Sequence, residues 1–263
     1  DFKLADKMEE ECGVVGIFAP GHEVAKRTVF ALQALQHRGQ EACGIAVGDN
    51  NTITAEKDFG LVNQVFNDSM VSVLEGDLAI GHVRYSTSGS KAAWEAIQPH
   101  LSAIGKVLIA LAHNGTLVNT SEIRNKLIHQ GVQMLSNTDS ELASKLIALD
   151  TVKTGHLRDG IAATMKQIQG AYAMVLCTPD SLYAFRDPYG IRPLSLGKLA
   201  DDSWVVASES CAFDIIGAEF VRDIEPGEII KINKDGILVW EFLQQNIKCV
   251  FLNMSILLDQ IPI

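Results

Sequence analysis

The stretch EEECGVVGIF, residues 9–18, places a cysteine where three glutamates give way to an apolar run. Val14, Val15, Ile17 and Phe18, interrupted only by glycine, predict a buried strand, whereas the acidic residues before them are typical of a solvated leader. Cys12 stands at the junction. In most proteins a cysteine that opens a strand is a small buried apolar residue, so a chemical role needs further evidence.

Short strands and helices follow along the chain. Eight segments are rich in apolar and β-branched residues and bounded by turn residues, which predicts strands at 13–19, 43–49, 52–58, 77–83, 107–115, 171–178, 181–187 and 203–209. Apolar residues at helical spacing predict helices at 23–39, 119–131, 139–150 and 156–170, the first ending on Gly39. Closely spaced strand pairs favour antiparallel pairing, so we expect an α+β fold with sheets packed face to face and helices outside.

Composition narrows the class of function. The chain has 263 residues, 47% of them apolar and 21% charged, which is ordinary for a folded protein. A net charge of −10 argues against a nucleic-acid or anionic-membrane surface and favours a small-molecule partner. There is neither a secretory signal nor an apolar run long enough to span a membrane, so we expect a cytoplasmic protein. The five cysteines are widely spaced without a CxxC pair, which indicates neither a disulfide framework nor a zinc site.

Three stretches carry residues suited to chemistry. GHVRYSTSG, residues 81–89, places charged and hydroxyl side chains directly after a predicted strand. LAHNGTLVN, residues 111–119, ends a predicted strand on Asn114-Gly115, a pair that often only turns a hairpin. SNTDSE, residues 136–141, places Asp139 at a helix start, where a carboxylate is favoured by the helix dipole alone.

Taken together, these stretches resemble a known family. CGVVGIF, LQHRGQEACGI at 35–45, GHVRYST, AHNG, SNTDSE and RDPYGIRPL at 186–194 are similar in order and spacing to the glutaminase domain of the class II amidotransferases, which are N-terminal-nucleophile hydrolases. The resemblance spans residues 12–216 and implies a four-layer αββα sandwich of two mainly antiparallel sheets with outer helices. The acidic leader, RDPYGIRPL and SESCAFD at 208–214 most resemble the glutamine phosphoribosylpyrophosphate amidotransferases of purine synthesis.

In this family the nucleophile is the first residue of the mature chain, so residues 1–11 resemble a propeptide removed between Glu11 and Cys12. The chemistry explains why. A free thiol has a pKa of about 8.5 and a terminal amine one of about 7.7–8.0, so an amine on the same residue can take the thiol proton. While Glu11 remains attached, that nitrogen is an amide and cannot act as a base. We therefore expect the uncut chain to be inactive.

The resemblance also implies the residues that bind glutamine. Arg84 matches the residue that holds the α-carboxylate, and Asp139 matches the one that pairs with the α-ammonium group. The side-chain NH2 of Asn114 and the main-chain N–H of Gly115 match the oxyanion hole. Thr87 and His82 belong to the same motif as Arg84.

Two further parts of the pocket follow from the resemblance. Arg38 and Gly39 lie beside the glutamine pocket in the family. The segment 85–94 corresponds to the loop that closes over glutamine.

The remaining cysteines receive no catalytic role. Cys43, Cys177 and Cys211 lie within strand or helix patterns and are predicted to be core residues. Cys249 matches one of four cluster ligands in iron–sulfur members of the family, but the other three are absent, so no metal site is expected within this chain. Magnesium and a 4Fe–4S cluster are expected only in a full-length parent, as are phosphoribosylpyrophosphate binding and a homo-oligomeric state.

The end of the chain departs from the family. We expect a glutaminase domain at 12–246 and a tail at 247–263, without a phosphoribosyltransferase domain. The family typically reads Glu-Tyr-Val-Tyr-Phe-Ala-Arg-Pro-Asp where this sequence has LNMSILLDQI. Codons for LNMSILLDQI can be chosen that give the family sequence when read from the third base, so we expect a one-nucleotide frame change near Phe251.

Three functions stay open on the sequence. The first is glutamine amide hydrolysis that supplies ammonia for 5-phosphoribosylamine formation, the first step of purine synthesis. The second is the same half-reaction in another class II amidotransferase, such as glucosamine-6-phosphate synthase. The third is a silent binding module whose leader is never removed.

Overall fold

The computed structural model describes residues 12–85 and 93–241. The leader with Glu11, the segment 86–92 with Thr87, and residues 242–263 with Cys249 lie outside the described residues. Expectations for a cleavage site, for most of the closing loop and for the tail therefore stay predictions.

Thirteen strands occur in the described residues. In chain order they are β1 (Gly13–Phe18), β2 (Ala42–Gly48), β3 (Ile53–Phe59), β4 (Leu78–Arg84), β5 (His100–Ile104), β6 (Val107–Leu117), β7 (Gly170–Cys177), β8 (Leu182–Arg186), β9 (Ser195–Leu199), β10 (Trp204–Ala207), β11 (Ala218–Asp223), β12 (Glu228–Asn233) and β13 (Gly236–Glu241). They form a seven-stranded sheet of order β11-β9-β10-β1-β4-β2-β3 and a six-stranded sheet of order β13-β12-β8-β7-β6-β5. Every neighbouring pair is antiparallel, as the sequence predicts.

Helices lie outside the two sheets. They are α1 (Val24–Ala34), α2 (Val62–Val65), α3 (Asp68–Val71), α4 (Thr120–His129), α5 (Asp139–Thr154), α6 (Leu157–Met165) and α7 (Cys211–Ile216), with short 3-10 turns at Gln36–Arg38 and Trp94–Ala96. No helix of the described residues combines the length and the apolar character that crossing a membrane requires.

Three apolar clusters show how the layers stack. Side chains on the two faces of a strand alternate, so each sheet contributes to two clusters. Ile17 of β1 packs with Leu32 of α1 on the outer face of the seven-stranded sheet. Leu111 of β6 packs with Leu146 of α5 on the outer face of the other sheet. The third cluster, which includes Val14, lies between the sheets, so the expected four-layer αββα sandwich is confirmed.

The opening stretch is the middle strand of its sheet. β1 pairs with β4 on one side and β10 on the other, and every one of its residues is buried. Gly16 faces the second sheet, where a Cβ would lie 2.5 Å from Val175 Cγ1. A larger residue would therefore force the sheets apart at this point.

Two local expectations are wrong. The first helix ends at Ala34 rather than Gly39, because the chain tightens into the 3-10 turn before β2. Gly39 is not a helix stop but a point of close approach, since a Cβ there would lie 2.6 Å from the carbonyl carbon of Arg84. The strand expected to end at Asn114-Gly115 continues to Leu117.

Candidate functional site

Strand alternation places three candidate side chains on the face between the sheets. Val14 and Ile80 belong to the cluster between the sheets. His82 and Arg84 follow Ile80 at two-residue intervals on β4, so they share its face. Cys12 lies two positions before Val14, directly ahead of the first residue of β1, and is half-buried.

The Cys12 thiol lies at the edge of the sandwich. Its Sγ is 4.0 Å from the main-chain oxygen of Tyr85, which follows β4. Burial raises the pKa of the Cys12 thiol, the nearby Arg84 guanidinium works against that rise, and Asp139 adds to it. The thiol therefore stays protonated at neutral pH, and its use as a nucleophile requires a base. The same interactions place both charged groups within electrostatic reach of the sulfur.

One nitrogen of the Arg84 guanidinium forms an ion pair, and another has no hydrogen-bond partner among the described residues. Its Nε lies 3.1 Å from Glu41 Oε2 and forms an ion pair with it that lacks the geometry of a hydrogen bond. Its Nη1 is buried, and no hydrogen-bond partner for it occurs in the described part of the chain. A buried donor without a partner loses about 1–3 kcal/mol, so this nitrogen is suited to an anionic ligand.

Asn114, on the six-stranded sheet, also has a buried donor without a partner among the described residues. It follows Ala112, a member of the cluster between the sheets, at the interval that puts both on one face of β6. Asn114 is 1% exposed, and its Nδ2 finds no hydrogen-bond partner among the described residues. The next residue, Gly115, has φ +142°, and a Cβ there would lie 2.1 Å from the oxygen of Ala171. The Asn-Gly pair is therefore not a hairpin turn but an irregular point within a long strand.

Asp139 begins α5, as the sequence predicts. Thr138 caps the helix by accepting a hydrogen bond from the main-chain N–H of Glu141 at 3.2 Å. Asp139 Oδ2 accepts a hydrogen bond from the main-chain N–H of Leu117 at 3.0 Å, which ties the helix start to the end of β6. Asp139 Oδ1 lies 3.8 Å from His113 Nδ1. The Asp139 carboxylate is thus held at the end of β6, beside Leu117, which follows Gly115 by two positions.

The histidines of this region are buried and neutral. Neither ring nitrogen of His82 makes a hydrogen bond of standard geometry within the described residues. Burial lowers the pKa of His82 and of His100 to about 3. Burial also lowers the pKa of His113, although Asp139 opposes that shift. None of the three carries a positive charge near pH 7.

Arg38 contacts Cys12, and Gly39 lies against the main chain of Arg84. Arg38 Nε donates a hydrogen bond to the main-chain oxygen of Cys12 at 3.0 Å, and its Nη1 pairs closely with Glu209. Gly39 packs on the main chain of Arg84. The sequence motif SESCAFD contains Glu209, but nothing in that motif alone links it to Cys12.

Ser208 was also missed. Its Oγ accepts a hydrogen bond from the main-chain N–H of Val14, and its own N–H donates to the oxygen of Val14, both at 3.0 Å. Ser208 therefore fixes the first residues of β1, two positions from the thiol.

The RDPYGIRPL motif organises its own loop. Asp187 is fully buried and accepts hydrogen bonds from the main-chain N–H groups of Tyr172, Tyr189 and Ile191 at 2.9–3.2 Å. Arg186 Nε donates to the main-chain oxygen at position 192. These side chains are satisfied within the loop and its adjoining strand, so this motif positions the chain rather than adding a reactive group.

The other described cysteines divide into two kinds. Cys43 and Cys177 are fully buried, and burial raises the pKa of each to about 12, so the core assignment is confirmed. Cys211 is only partly buried at the start of α7, so its assignment to the core is wrong. Its thiol contacts Glu209 Oε2 at 3.6 Å.

Comparisons with known proteins agree on one family. The sequence model of the glutamine amidotransferase domain matches residues 82–214. The amidophosphoribosyltransferase of Synechococcus elongatus is 45% identical over 251 residues, covering 94% of this chain and 51% of that protein. The chain spans about half the length of the curated relatives that it matches.

Solved structures give the same relationship. The glutamine phosphoribosylpyrophosphate amidotransferase of B. subtilis, solved with ADP and GMP, superposes with a TM-score of 0.79 at 40% identity, covering 88% of this chain and 49% of that one. A structure described as the allosteric regulatory enzyme of purine biosynthesis superposes with a TM-score of 0.81 at 41% identity, with the same coverage of each chain.

Proposed function

Since the chain belongs to the glutamine amidotransferase domain family, we propose that it hydrolyses the side-chain amide of glutamine with Cys12 as the nucleophile. One observation supports this above the others. The Cys12 thiol shares the space between the sheets with two buried donors, Arg84 Nη1 and Asn114 Nδ2, for which the described residues provide no partner. Two unpaired buried donors on the facing sides of the two sheets are accounted for by a ligand with a carboxylate and a developing oxyanion.

Charge supports selection of an α-amino acid. Arg84 would bind the α-carboxylate through its free nitrogen while Glu41 holds the other edge of the guanidinium. Asp139, which also acts on the Cys12 thiol electrostatically, would pair with the α-ammonium group. A cation and an anion that both act electrostatically on the sulfur favour free glutamine over a plain amide.

The reaction then follows from the groups present. The thiolate sulfur attacks the amide carbon, and the carbonyl oxygen becomes an oxyanion that accepts hydrogen bonds from Asn114 Nδ2 and the Gly115 N–H. The carbon–nitrogen bond breaks as the leaving nitrogen takes up a proton, which releases ammonia and leaves a thioester. Water then attacks the thioester and frees glutamate and the thiol.

The raised pKa of the thiol requires a base, and we assign that role to the α-amine of Cys12. An amine becomes available only when the bond between Glu11 and Cys12 is cut. Residues 1–11 would therefore be a propeptide, and the uncut chain would be an inactive precursor.

The acceptor of the ammonia is inferred from the relatives. Amidophosphoribosyltransferases are the curated relatives at 45–47% identity, and one solved neighbour is described as an enzyme of purine biosynthesis. We infer that the ammonia serves 5-phosphoribosylamine formation, for which a phosphoribosyltransferase domain would be needed. The cofactors and oligomeric state of a longer parent stay predictions.

The test compares two chains that differ by one residue. Removal of a cleavable tag yields one chain that begins at Cys12 and another that begins at Glu11. We expect ammonia release from glutamine only by the first, because only it carries a free amine on the cysteine. Full activity in the chain that begins at Glu11 would refute the role of the amine.

The nucleophile is tested in the chain that begins at residue 12. Cys12→Ala should lower ammonia release by more than about 10³-fold, whereas Cys211→Ser should retain it. Comparable loss in both variants, or activity in the alanine variant, would contradict the proposal.

Substrate selection has its own test. Arg84→Gln should raise the KM for glutamine, and it should lower kcat/KM for glutamine by a much larger factor than that for 4-aminobutanamide, which lacks the α-carboxylate. An equal effect on both amides would show that Arg84 does not bind the carboxylate.

A further inference from the structure

We propose that His37, Glu209 and Cys211 form a binding site for a divalent cation of the zinc type. His37 lies on the 3-10 turn after α1, and the other two residues lie at the entrance to α7. One ligand atom of each residue lies within 4.8 Å of the others. The combination of imidazole, carboxylate and thiol is the donor set that Zn²⁺ prefers.

Two of the three separations match those around a single tetrahedral ion. Glu209 Oε2 lies 3.1 Å from His37 Nε2 and 3.6 Å from Cys211 Sγ. Ordinary zinc–ligand distances at tetrahedral angles place a nitrogen and an oxygen about 3.3 Å apart, and an oxygen and a sulfur about 3.5 Å apart. Water would complete the coordination.

The orientation of His37 supports a ligand role. Its Nδ1 lies 3.1 Å from the main-chain oxygen of Ala34, which can only accept a hydrogen bond. Nδ1 therefore carries the proton, and in the neutral ring the lone pair of Nε2 faces the Glu209 carboxylate. A metal ion placed between them would accept the Nε2 lone pair and offset the negative charge of the carboxylate. A main-chain carbonyl that orients the ring through Nδ1 is the usual arrangement for a metal-binding histidine.

Access to the site is open. The His37 side chain is 55% exposed, and the carboxylate and thiol are partly buried. An ion could enter from solvent without disturbing the core.

The site is linked to Cys12 through one residue. Arg38 pairs with Glu209 and donates a hydrogen bond to the main-chain oxygen of Cys12. An ion that draws the carboxylate towards His37 and Cys211 would weaken its pairing with Arg38. This second step rests on the proposed function, and it makes the ion an inhibitor of glutamine hydrolysis.

Binding is tested with Co²⁺ as a spectroscopic substitute for Zn²⁺. The full chain carrying Cys12→Ala is titrated, so that the thiol at position 12 cannot be the ligand. We expect one ion per chain, displaced by Zn²⁺, with the near-ultraviolet absorption of a cobalt–thiolate bond. Cys211→Ser should abolish that absorption, and His37→Gln should weaken the affinity by at least about tenfold.

Cys249→Ser serves as the matched control, because it removes a different thiol and should leave the spectrum unchanged. Persistence of the cobalt–thiolate absorption in Cys211→Ser would overturn the site, and so would its absence from the parent chain. His37 is exposed, so its variant should fold even if Cys211→Ser does not, and unchanged affinity in it would be equally decisive against the site.

The link to catalysis is tested separately in the chain that begins at Cys12. We expect the Zn²⁺ concentration that halves ammonia release to rise by at least about fivefold in His37→Gln. Equal inhibition of both chains would show that zinc acts at Cys12 itself and would overturn the link. Absence of glutaminase activity without zinc would refute the proposed function, whereas the cobalt titration would still stand.

Discussion

Arg38 holds the main-chain oxygen of Cys12 at 3.0 Å through Nε while its Nη1 pairs with Glu209. The guanidinium thus joins the start of β1 to the turn before α7. Arg38 and Glu209 are 171 positions apart in the sequence. The position of the thiol depends on this bridge as well as on the pairing of β1 within its sheet.

Arg38→Gln should therefore impair the reaction without affecting glutamine binding. Loss of a charge-assisted hydrogen bond is worth about 1.5–3 kcal/mol, so we expect kcat for ammonia release to fall about ten- to a hundredfold with little change in KM. Arg27→Gln is the control, because Arg27 pairs at 2.6 Å with Asp201 and not with Cys12. Equal losses in both variants would assign the effect to stability.

Asn114→Ala should separate catalysis from stability. One oxyanion donor contributes about 10²–10³-fold to kcat, so we expect a loss of that size. Because Nδ2 makes no hydrogen bond to the described residues, its removal should not lower the Tm. Asn114→Asp, which puts an acceptor where a donor stood, should be at least as inactive. A lower Tm with unchanged kcat would make Asn114 a structural residue.

Gly115→Ala should be strongly destabilising. The added Cβ would meet the oxygen of Ala171 at 2.1 Å, and the backbone adopts φ +142°. We expect the free energy of unfolding in urea to fall by more than about 3 kcal/mol. Gly21→Ala is the matched control, since Gly21 has φ +76° but nothing within 4 Å of an added Cβ, so about 1 kcal/mol is expected there. Similar losses at both positions would contradict the steric explanation.

Stability should fall on acidification from pH 7 towards pH 5. Buried His82 and His100 stay neutral in the folded chain until about pH 3, whereas the same side chains in the unfolded chain take up protons near pH 6.5. Between these values the unfolded state binds more protons, so the free energy of unfolding falls with decreasing pH, by about 1.4 kcal/mol per pH unit for each histidine.

Urea unfolding at several pH values measures this slope. His100→Gln should reduce it, because one of the three buried histidines with a lowered pKa no longer titrates. Stability that does not change between pH 7 and pH 5 would show that these histidines are already accessible to protons in the folded chain.

The sequence predicts eight of the thirteen strands of the described residues and misses β5, β9, β11, β12 and β13. β1, β4 and β7 are buried along their length and were all expected. β11 was not, because AEFVRD has neither an apolar run nor clean alternation and most of its side chains are exposed. β5 was missed because HLSAI precedes Gly105, whose φ of +60° turns the chain directly into β6.

The residues of the candidate site also differ in how far the sequence identifies them. Arg84, Asn114 and Asp139 each lie in a compact motif, at the end of β4, within β6 and at the start of α5, and the family resemblance of these motifs together singles them out. Glu209 and Cys211 lie more than 170 positions from Arg38 and His37. Such pairings depend on how α7 packs against α1, which no local pattern records.

The central position of β1 bears on activation. Both flanks of this strand are hydrogen-bonded to neighbours, and Ser208 and Arg38 fasten its first residues. Cleavage before Cys12 would therefore create a new N-terminus next to residues that these hydrogen bonds already hold in position. Maturation would convert the amide nitrogen of Cys12 into an amine beside a strand that is already paired, so β1 would not need to refold.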